Sequence, residues 1–259
     1  IQKSAAESVK RVTLELGGKG AALVLEDANI DLTAHAALFG ILMNSGQACE
    51  AASRLLVHDS IHDALIDKMV EIASKISIGD PLDPATKMGP IINQAQFEKI
   101  MRYIDSAKAN GANIVCGGQR KIVDGFENGY FIEPTIITES ADNMPHACEE
   151  IFGPVLSVFR FSDIEQAISI ANESDYGLSA GIFSEDVIKA QSIAKQLQAG
   201  SVWINDWHMM RTDAPFGGFK QSGYGREMGK ESLKHYTETK SVSTAFENNP
   251  HRKRPMHLV

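Results

Sequence analysis

The stretch Asn44-Ser45-Gly46-Gln47-Ala48-Cys49 joins a predicted helix over residues 32–43 to a predicted strand over residues 54–58. Gly46 permits a tight turn there, because glycine has no Cβ to clash at positive φ. Cys49 at the mouth of this turn is a candidate nucleophile, provided that electropositive surroundings favour its thiolate. Taken alone, such a cysteine is more typical of a small buried apolar residue. Motifs elsewhere in the chain are needed to distinguish a nucleophile from a buried apolar residue.

Predicted strands and helices alternate on both sides of this turn. Runs of apolar residues predict strands at residues 12–16, 21–25, 54–58, 112–116, 155–161, 178–183 and 201–205. Apolar residues spaced by three and four predict helices between them, with start signals at Asp31, Ser60 with Asp63, Asn93 with Gln96, and Ser162 with Glu165. This alternation predicts an α/β fold with a mostly parallel, twisted sheet flanked by helices.

Two other regions give separate expectations. Residues 117–138 are richer in glycine and asparagine, which predicts extended pieces of a hairpin on the domain surface. Residues 225–236 are predicted to form a C-terminal helix, and residues 237–246 an extended strand. The basic cluster at residues 251–254 is interpreted as a solvated tail.

Composition restricts the class of protein. The chain has 259 residues, of which 43% are apolar, enough to bury a full core. Its formal net charge of −8 argues against nucleic acid or an anionic membrane as a partner. Three cysteines without paired spacing argue against a disulfide framework and against a zinc or other metal site. No apolar run reaches the roughly 18 residues needed to span a bilayer, so we predict a cytoplasmic protein.

Three further motifs accompany the cysteine turn, in the order Leu14-Glu15-Leu16-Gly17-Gly18-Lys19, Glu150-Ile151-Phe152-Gly153-Pro154 and Pro215-Phe216-Gly217-Gly218-Phe219-Lys220-Gln221-Ser222-Gly223. With the turn, they resemble the aldehyde dehydrogenase superfamily from about residue 1 to residue 246. The resemblance covers the C-terminal catalytic portion of that family and implies that most of the dinucleotide-binding domain precedes this chain. It divides the chain into a remnant of that domain (1–16), a catalytic domain (17–224), and a C-terminal helix, oligomerisation strand and tail (225–259).

The resemblance also implies roles for single residues. Cys49 would be the catalytic nucleophile, and Glu15 the general base that activates the hydrolytic water. Glu150 would bind the nicotinamide ribose hydroxyls of NAD or NADP. Phe152 would lie beside the nicotinamide, and Leu16 would also belong to the cofactor site.

Fewer sequence features indicate which residues contact the substrate. Phe216 matches an aromatic residue of the family's substrate tunnel, and Trp207 and Met210 lie in the loop before it. Glu50 departs from the family, which usually has a small or uncharged residue after the cysteine. A carboxylate there would raise the pKa of the thiol. Either Glu50 turns away, or it faces the tunnel and favours a polar or cationic aldehyde.

The predicted function is oxidation of an aldehyde to a carboxylic acid by NAD(P)+, through a thiohemiacetal and a thioester on Cys49. Two alternatives remain open at this point: a cofactor-independent thiol esterase that uses Cys49 and Glu15, and a non-catalytic oligomerisation module. The expected partners are a small aldehyde and further copies of the chain, in a homodimer or homotetramer.

Overall fold

A computed structural model of the protein describes residues 1–140, 143–244 and 246. The α-helices are α1 (Gln2–Ala6), α2 (Ile30–Leu42), α3 (His62–Ala73), α4 (Gln94–Ala109), α5 (Pro145–Cys148), α6 (Ile164–Asn172), α7 (Val187–Ala194) and α8 (Leu233–Tyr236). The strands are β1 (Leu14–Glu15), β2 (Ala21–Val24), β3 (Arg54–His58), β4 (Asn113–Cys116), β5 (Arg120–Lys121), β6 (Phe131–Ile132), β7 (Thr135–Thr138), β8 (Val155–Phe161), β9 (Tyr176–Gly177), β10 (Ser179–Phe183), β11 (Ser201–Ile204), β12 (Phe219–Lys220) and β13 (Gly223–Tyr224). Within these ranges, no helix combines the length and apolar character that crossing a bilayer requires.

Seven strands form the central sheet, in the order β11, β10, β2, β3, β8, β7 and β4. Every neighbouring pair is parallel except β4 and β7. One row of paired residues crosses its middle, from Gly181 through Ala22 and Leu55 to Val158. The predicted α/β fold with a mostly parallel sheet is therefore confirmed.

Helices cover both faces of the sheet. Ala22 and Leu55 pack with α2 and α3 on one face, whereas Leu23 and Leu56 pack with α6 and α7 on the other. Because successive residues of a strand point to opposite faces, a strand covered on both sides must be apolar throughout. This explains why β2 has four buried residues in a row and why its sequence shows no polar alternation.

The helix starts follow the predictions only in part. Asn93 caps α4 as predicted, and its side chain accepts a hydrogen bond from the Gln96 N–H at 2.9 Å. Asn29, and not Asp31, caps α2, because that helix begins earlier than predicted. The predicted capping boxes of α3 and α6 are wrong, since neither helix has a side-chain cap.

Strand β7 corrects the prediction of a surface hairpin at residues 117–138. Its four residues are all buried, and it lies in the central sheet between β8 and β4. Only β5 and β6 form a small antiparallel hairpin. The surface prediction rested on the glycine and asparagine content of the whole region. It gave too little weight to the Thr-Ile-Ile-Thr run of β7, which is typical of a strand interior.

The predicted helix over residues 225–236 is also wrong, except for its last turn. Gly225, Met228 and Gly229 have φ angles of 95°, 58° and 59°, which a right-handed helix cannot contain. A 3-10 turn at Lys230–Ser232 then leads into α8. Residues 237–244 and 246 belong to no strand, and the rest of the predicted C-terminal strand and tail lies outside the described residues.

Short strand β1 pairs antiparallel with β13, so residue 15 lies opposite residue 223. This pairing joins the first motif of the chain to the last one. The predicted domain boundaries at residues 16 and 224 stay a prediction.

Candidate active site

The turn that carries Cys49 has an unusual backbone. Asn44, Ser45 and Gly46 follow α2 with φ angles of 50°, 58° and 73°, all in the left-handed region. Asn44 and Gln47 hold the turn by two reciprocal bonds between side-chain amides and carbonyls, of 3.0 and 3.1 Å. The Ser45 hydroxyl donates to the carbonyl of Gly89 at 2.8 Å. The turn is therefore fixed by its own polar groups.

Glycines let this turn approach two other loops. A Cβ on Gly46 would lie 2.2 Å from the carbonyl carbon and oxygen of Gly153. A Cβ on Gly18 would lie 2.4 Å from the carbonyl oxygen of Cys49. Three of the four sequence motifs thus meet backbone to backbone, in the loops that lead into β2, β3 and β8.

Glu150 joins the same contact from the third loop. Its Oε1 accepts a hydrogen bond from the Gly18 N–H at 2.8 Å, and a Cβ on Gly17 would lie 2.5 Å from its Oε2. The Glu150 side chain is half-buried, so part of it remains accessible beside the turn. Leu16, also predicted for the cofactor site, is 43% exposed and donates its N–H to the carbonyl of Ser222 at 3.0 Å.

Phe152 is held in a strained conformation. Its φ of 60° lies in the left-handed region, which is rare for an aromatic residue and often marks a functional site. The side-chain amide of Gln96 donates to the carbonyls of Ile151 and Phe152, both at 2.9 Å. The sequence had suggested only a capping role for Gln96. No local pattern signals this second role, which depends on a contact across 55 and 56 residues.

Glu15 ends β1 and lies against the Pro215–Gly218 turn. A Cβ on Gly217 would lie 2.8 Å from its Oε1. Partial burial and the nearby charge of Glu227 raise the pKa of Glu15, and Arg226 opposes this shift. A carboxyl group with a raised pKa is suited to general base catalysis near neutral pH.

The thiol of Cys49 has acidic neighbours. Its Sγ lies 3.1 Å from Oε2 of Glu50, and the residue is half-buried. Burial raises the pKa of Cys49 to about 12, together with the hydrogen bond to Glu50, the charge of Glu50 and the more distant charge of Glu15. The neighbours of the thiol in this structure are therefore acidic, and they favour the protonated thiol over the thiolate that a nucleophilic cysteine requires.

Glu50 faces the interior of the protein. It is 9% exposed, and its Oε1 lies 3.0 Å from Nδ1 of His208. Nε2 of His208 lies 3.1 Å from the carbonyl oxygen of Gly40. Burial alone would raise the pKa of Glu50, but the hydrogen bonds from His208 and Cys49 outweigh it and lower that pKa. Glu50 thus does not turn away from the thiol, and its predicted contact with substrate stays a prediction.

Trp207 lies behind the thiol turn. It is 1% exposed, and its indole N–H donates to the Glu50 carbonyl at 2.8 Å. A Cβ on Gly40 would lie 2.9 Å from the indole ring, so the ring packs directly against α2. This geometry describes a packing residue, and the predicted substrate role of Trp207 stays a prediction.

A cavity of about 270 Å³ lies beside the loop that follows β11. It is lined by Phe216 and Met210, which the sequence predicted as substrate residues, and by Trp203, Met209 and Met228 among others. Arg211 also lines it, but forms an ion pair with Asp213 through bonds of 3.0 and 2.8 Å. The walls are mostly apolar, with two aromatic residues and three methionines among the lining residues, which suits a small organic substrate.

Lys19 is a buried basic residue for which the sequence predicted no role. It is 2% exposed, and its Nζ donates to the carbonyl of His146 at 2.8 Å. Burial and the charge of Arg54 lower the pKa of Lys19 to about 7. The residue type gave no signal of this burial, because lysine is rarely fully buried.

Sequence comparison places the chain among known proteins. It matches the aldehyde dehydrogenase family over residues 1–242. It is 45% identical to a betaine aldehyde dehydrogenase from Brucella anthropi over 242 residues, which are 93% of this chain and 50% of that protein. A betaine aldehyde dehydrogenase from Brucella melitensis is 44% identical over the same coverage. The chain thus spans about half the length of the curated relatives it matches.

Solved structures give the same result. A betaine aldehyde dehydrogenase from Staphylococcus aureus, solved with NAD+, has a TM-score of 0.88 and 45% sequence identity, covering 91% of this chain and 47% of that chain. An aldehyde dehydrogenase from Bacillus cereus, also solved with NAD+, has a TM-score of 0.91 and 41% identity, covering 95% and 49%. The similarity therefore includes the fold and extends over more than nine-tenths of this chain.

We predict that Gly46→Ala destabilises the protein by more than about 3 kcal/mol, because it adds a clash with Gly153 to the strain of a left-handed residue. Gly111→Ala is the matched control, with a φ of 81° and nothing within 4 Å of the added Cβ. It should cost only about 1 to 2 kcal/mol. Chemical denaturation measures both values, and equal losses would show that the contact with Gly153 is unimportant.

We predict that Gln96→Ala costs about 1 to 2 kcal/mol of stability, because two hydrogen bonds to the Phe152 loop are lost. Gln96→Glu should cost at least about 1 kcal/mol more, since a carboxylate would face two carbonyl oxygens. Gln94→Ala, on the exposed start of the same helix, should change stability by less than about 0.5 kcal/mol. Thermal unfolding of the three variants checks this order, and a Gln96→Glu variant as stable as wild type would contradict it.

Proposed function

Because this chain belongs to the aldehyde dehydrogenase family, we propose that Cys49 is the nucleophile of an NAD(P)-dependent oxidation of an aldehyde to a carboxylic acid. The observation that supports this proposal most directly is that the Cys49 turn and the Glu150 loop both contact the Gly17–Gly18 pair. Gly18 lies against the carbonyl of Cys49 and binds the carboxylate of Glu150, and the charge of Glu15 acts on the thiol. Residues far apart in sequence thus share one site.

Cys49 and Glu15 have separate tasks in this proposal. The sulfur of Cys49 forms a bond to the aldehyde carbon as the C=O π bond opens, and the thiol proton ends on the former carbonyl oxygen, which gives a thiohemiacetal. Loss of a hydride from that carbon, for which NAD(P)+ would be the acceptor, and of the hydroxyl proton to solvent restores the C=O bond and leaves a thioester. Glu15 then takes a proton from water, which attacks the thioester, releases the acid and restores the sulfur. The raised pKa of Glu15 increases its strength as a base once it is ionised.

The cofactor proposal rests on the Glu150 loop. NAD+ or NADP+, when bound, supplies the acceptor for the hydride. The half-buried carboxylate of Glu150 fits the hydroxyl groups of a ribose, because carboxylate oxygens accept hydrogen bonds from them. Phe152 would offer an aromatic face beside it, at a position that Gln96 holds through the backbone. Leu16 borders the same Gly17–Gly18 turn.

For the substrate, we propose a small aldehyde that carries a cationic methylated amine. Two relatives are named betaine aldehyde dehydrogenases. The aromatic and methionine side chains that line the cavity of about 270 Å³, among them Trp203 and Phe216, suit such a group. Aromatic faces attract quaternary ammonium ions through cation–π interactions.

We propose that the protein acts as a homodimer or homotetramer in the cytoplasm. The exposed side chains of Val242 and Phe246, which are 80% and 90% accessible, support an interface at the C-terminal segment. Extended segments with unpaired backbone groups readily pair with another chain. The reduced thiols of Cys49 and Cys116 fit a reducing compartment.

Replacing the two catalytic residues should give different kinetic defects. We predict that Cys49→Ala lowers aldehyde oxidation at least about 1000-fold and abolishes the first turnover. Glu15→Gln should retain a first release of reduced cofactor but slow the steady-state rate by about 100-fold, because hydrolysis of the thioester lacks its base. Rapid-mixing absorbance of the reduced cofactor, in the protein as its own cell makes it, separates these defects.

Cys116→Ser is the control and should leave turnover unchanged, since this cysteine ends the edge strand β4, which β7 separates from β8. Activity that survives in Cys49→Ala would contradict the role of the thiol. Hydrolysis of an aryl ester without NAD+, combined with no aldehyde oxidation, would instead support a thiol esterase.

The substrate proposal predicts that the enzyme prefers a positively charged aldehyde over a neutral one of the same shape. Betaine aldehyde and 3,3-dimethylbutanal have nearly the same shape, but only the first carries a positive charge. We expect kcat/KM to favour betaine aldehyde by about five- to thirtyfold, as a cation–π contact of about 1 to 2 kcal/mol implies. Phe216→Leu should reduce this preference while keeping the cavity apolar. Equal kcat/KM values for the two aldehydes in the wild type would contradict the proposal.

A further inference from the structure

Behind the candidate nucleophile lies a buried acid and histidine pair that neither the proposed reaction nor the family resemblance uses. Oε2 of Glu50 lies 3.1 Å from Sγ of Cys49, and Oε1 lies 3.0 Å from Nδ1 of His208. The Glu50 and His208 side chains are 11% and 3% exposed. The three side chains form a chain of hydrogen bonds that runs from the thiol into the protein.

Donors and acceptors fix the protons along this chain. The carbonyl oxygen of Gly40 can only accept, so Nε2 of His208 carries a hydrogen. Nδ1 of His208 faces a carboxylate oxygen and shares a proton with it. The second carboxylate oxygen then accepts the hydrogen of the Cys49 thiol, so this hydrogen bond exists only while that thiol keeps its proton.

The backbone of Glu50 is held as firmly as its side chain. Its carbonyl oxygen accepts from the indole N–H of Trp207 at 2.8 Å and from the hydroxyl of Ser179 at 3.0 Å. The His208 ring packs edge to face against Phe39, with ring centroids 5.4 Å apart. The carboxylate is therefore a fixed acceptor and cannot swing away from the sulfur without breaking buried bonds.

We propose that Glu50 and His208 are positioning residues that hold Cys49 as a neutral, hydrogen-bonded thiol until substrate binds, with His208 acting through Glu50. This inference rests on the proposed role of Cys49 as nucleophile. When the hydrogen bond between Cys49 and Glu50 breaks, Glu50 stays paired with His208. Breaking that bond therefore leaves no unpartnered buried charge. Since the thiolate is the form that oxidises and alkylates, the pair protects the nucleophile between turnovers.

Two carboxylates near the sulfur act in the same direction. Glu50 contacts it directly, and Glu15 acts from across the site; both raise the pKa of Cys49. His208 lies on the far side of Glu50 and lowers the pKa of that carboxyl, which keeps it ionised. A general base would have the opposite effect on reactivity, because its removal would slow the thiol instead of releasing it.

The rate of alkylation of Cys49 by iodoacetamide as a function of pH tests this inference without aldehyde or cofactor. Peptide mass spectrometry separates Cys49 from Cys116 and Cys148. We expect Glu50→Gln, which keeps the shape and removes the charge, to lower the midpoint of the pH profile by at least about one unit. Alkylation at neutral pH should then accelerate about tenfold or more. Glu149→Gln, an exposed acid that binds Tyr103, is the matched control and should leave the profile unchanged.

His208 is tested in two backgrounds. His208→Asn should shift the midpoint when Glu50 is present and have little effect when Glu50 is already glutamine, because it acts through that carboxylate. Equal shifts in both backgrounds would overturn the pairing. A Glu50→Gln variant with an unchanged midpoint, or with slower alkylation, would overturn the inference, and the second result would assign Glu50 as a base. Thermal unfolding of each variant confirms that the fold is intact, and none of these results depends on aldehyde oxidation.

Discussion

Close backbone contact between loops is the constraint on which the candidate site depends. The Cys49 turn lies against Gly153 with no space for a side chain on Gly46, and Gly18 lies against the Cys49 carbonyl in the same way. A loop that carried a Cβ at these points would have to move, and the thiol would move with it. The left-handed residues before Cys49 store the strain that this packing requires, as is common where a backbone is shaped for chemistry.

The sheet supplies the rigidity that makes these contacts reproducible. Strands β2, β3 and β8 are adjacent and parallel, and both of their faces are covered by apolar side chains. The three motif loops lead into these strands, so the site forms at their amino ends. Open α/β sheets more often bind ligands at the carboxyl ends. Here the site lies at the amino ends because the glycine contacts, at Gly18, Gly46 and Gly153, lie in the loops that precede these strands.

The charged groups around the Cys49 thiol stabilise its protonated form, which protects the sulfur but lowers its reactivity. A buried carboxylate is costly unless it is paired, and Glu50 is paired with His208 on one side and with Cys49 on the other. The same arrangement disfavours a thiolate, which would place two negative charges in contact. Lys19 is another buried ionisable group; burial and the charge of Arg54 lower its pKa to about 7, and the nearby charge of Glu150 opposes this shift.

The sequence by itself determined the local elements and the chemical groups. Strands β3 and β8 have the predicted bounds, since each is built around short runs of apolar residues, and the motifs identified Cys49, Glu15 and Glu150 as candidates. Only the tertiary structure decided where these groups meet, that Thr135–Thr138 is an interior strand, and that residues 225–229 turn instead of forming a helix. It also decided that His208 pairs with Glu50 across 158 residues and that Gln96 holds the Phe152 loop. Periodicity reports on neighbours within a few residues, whereas these contacts arise from the packing of distant segments against a common sheet.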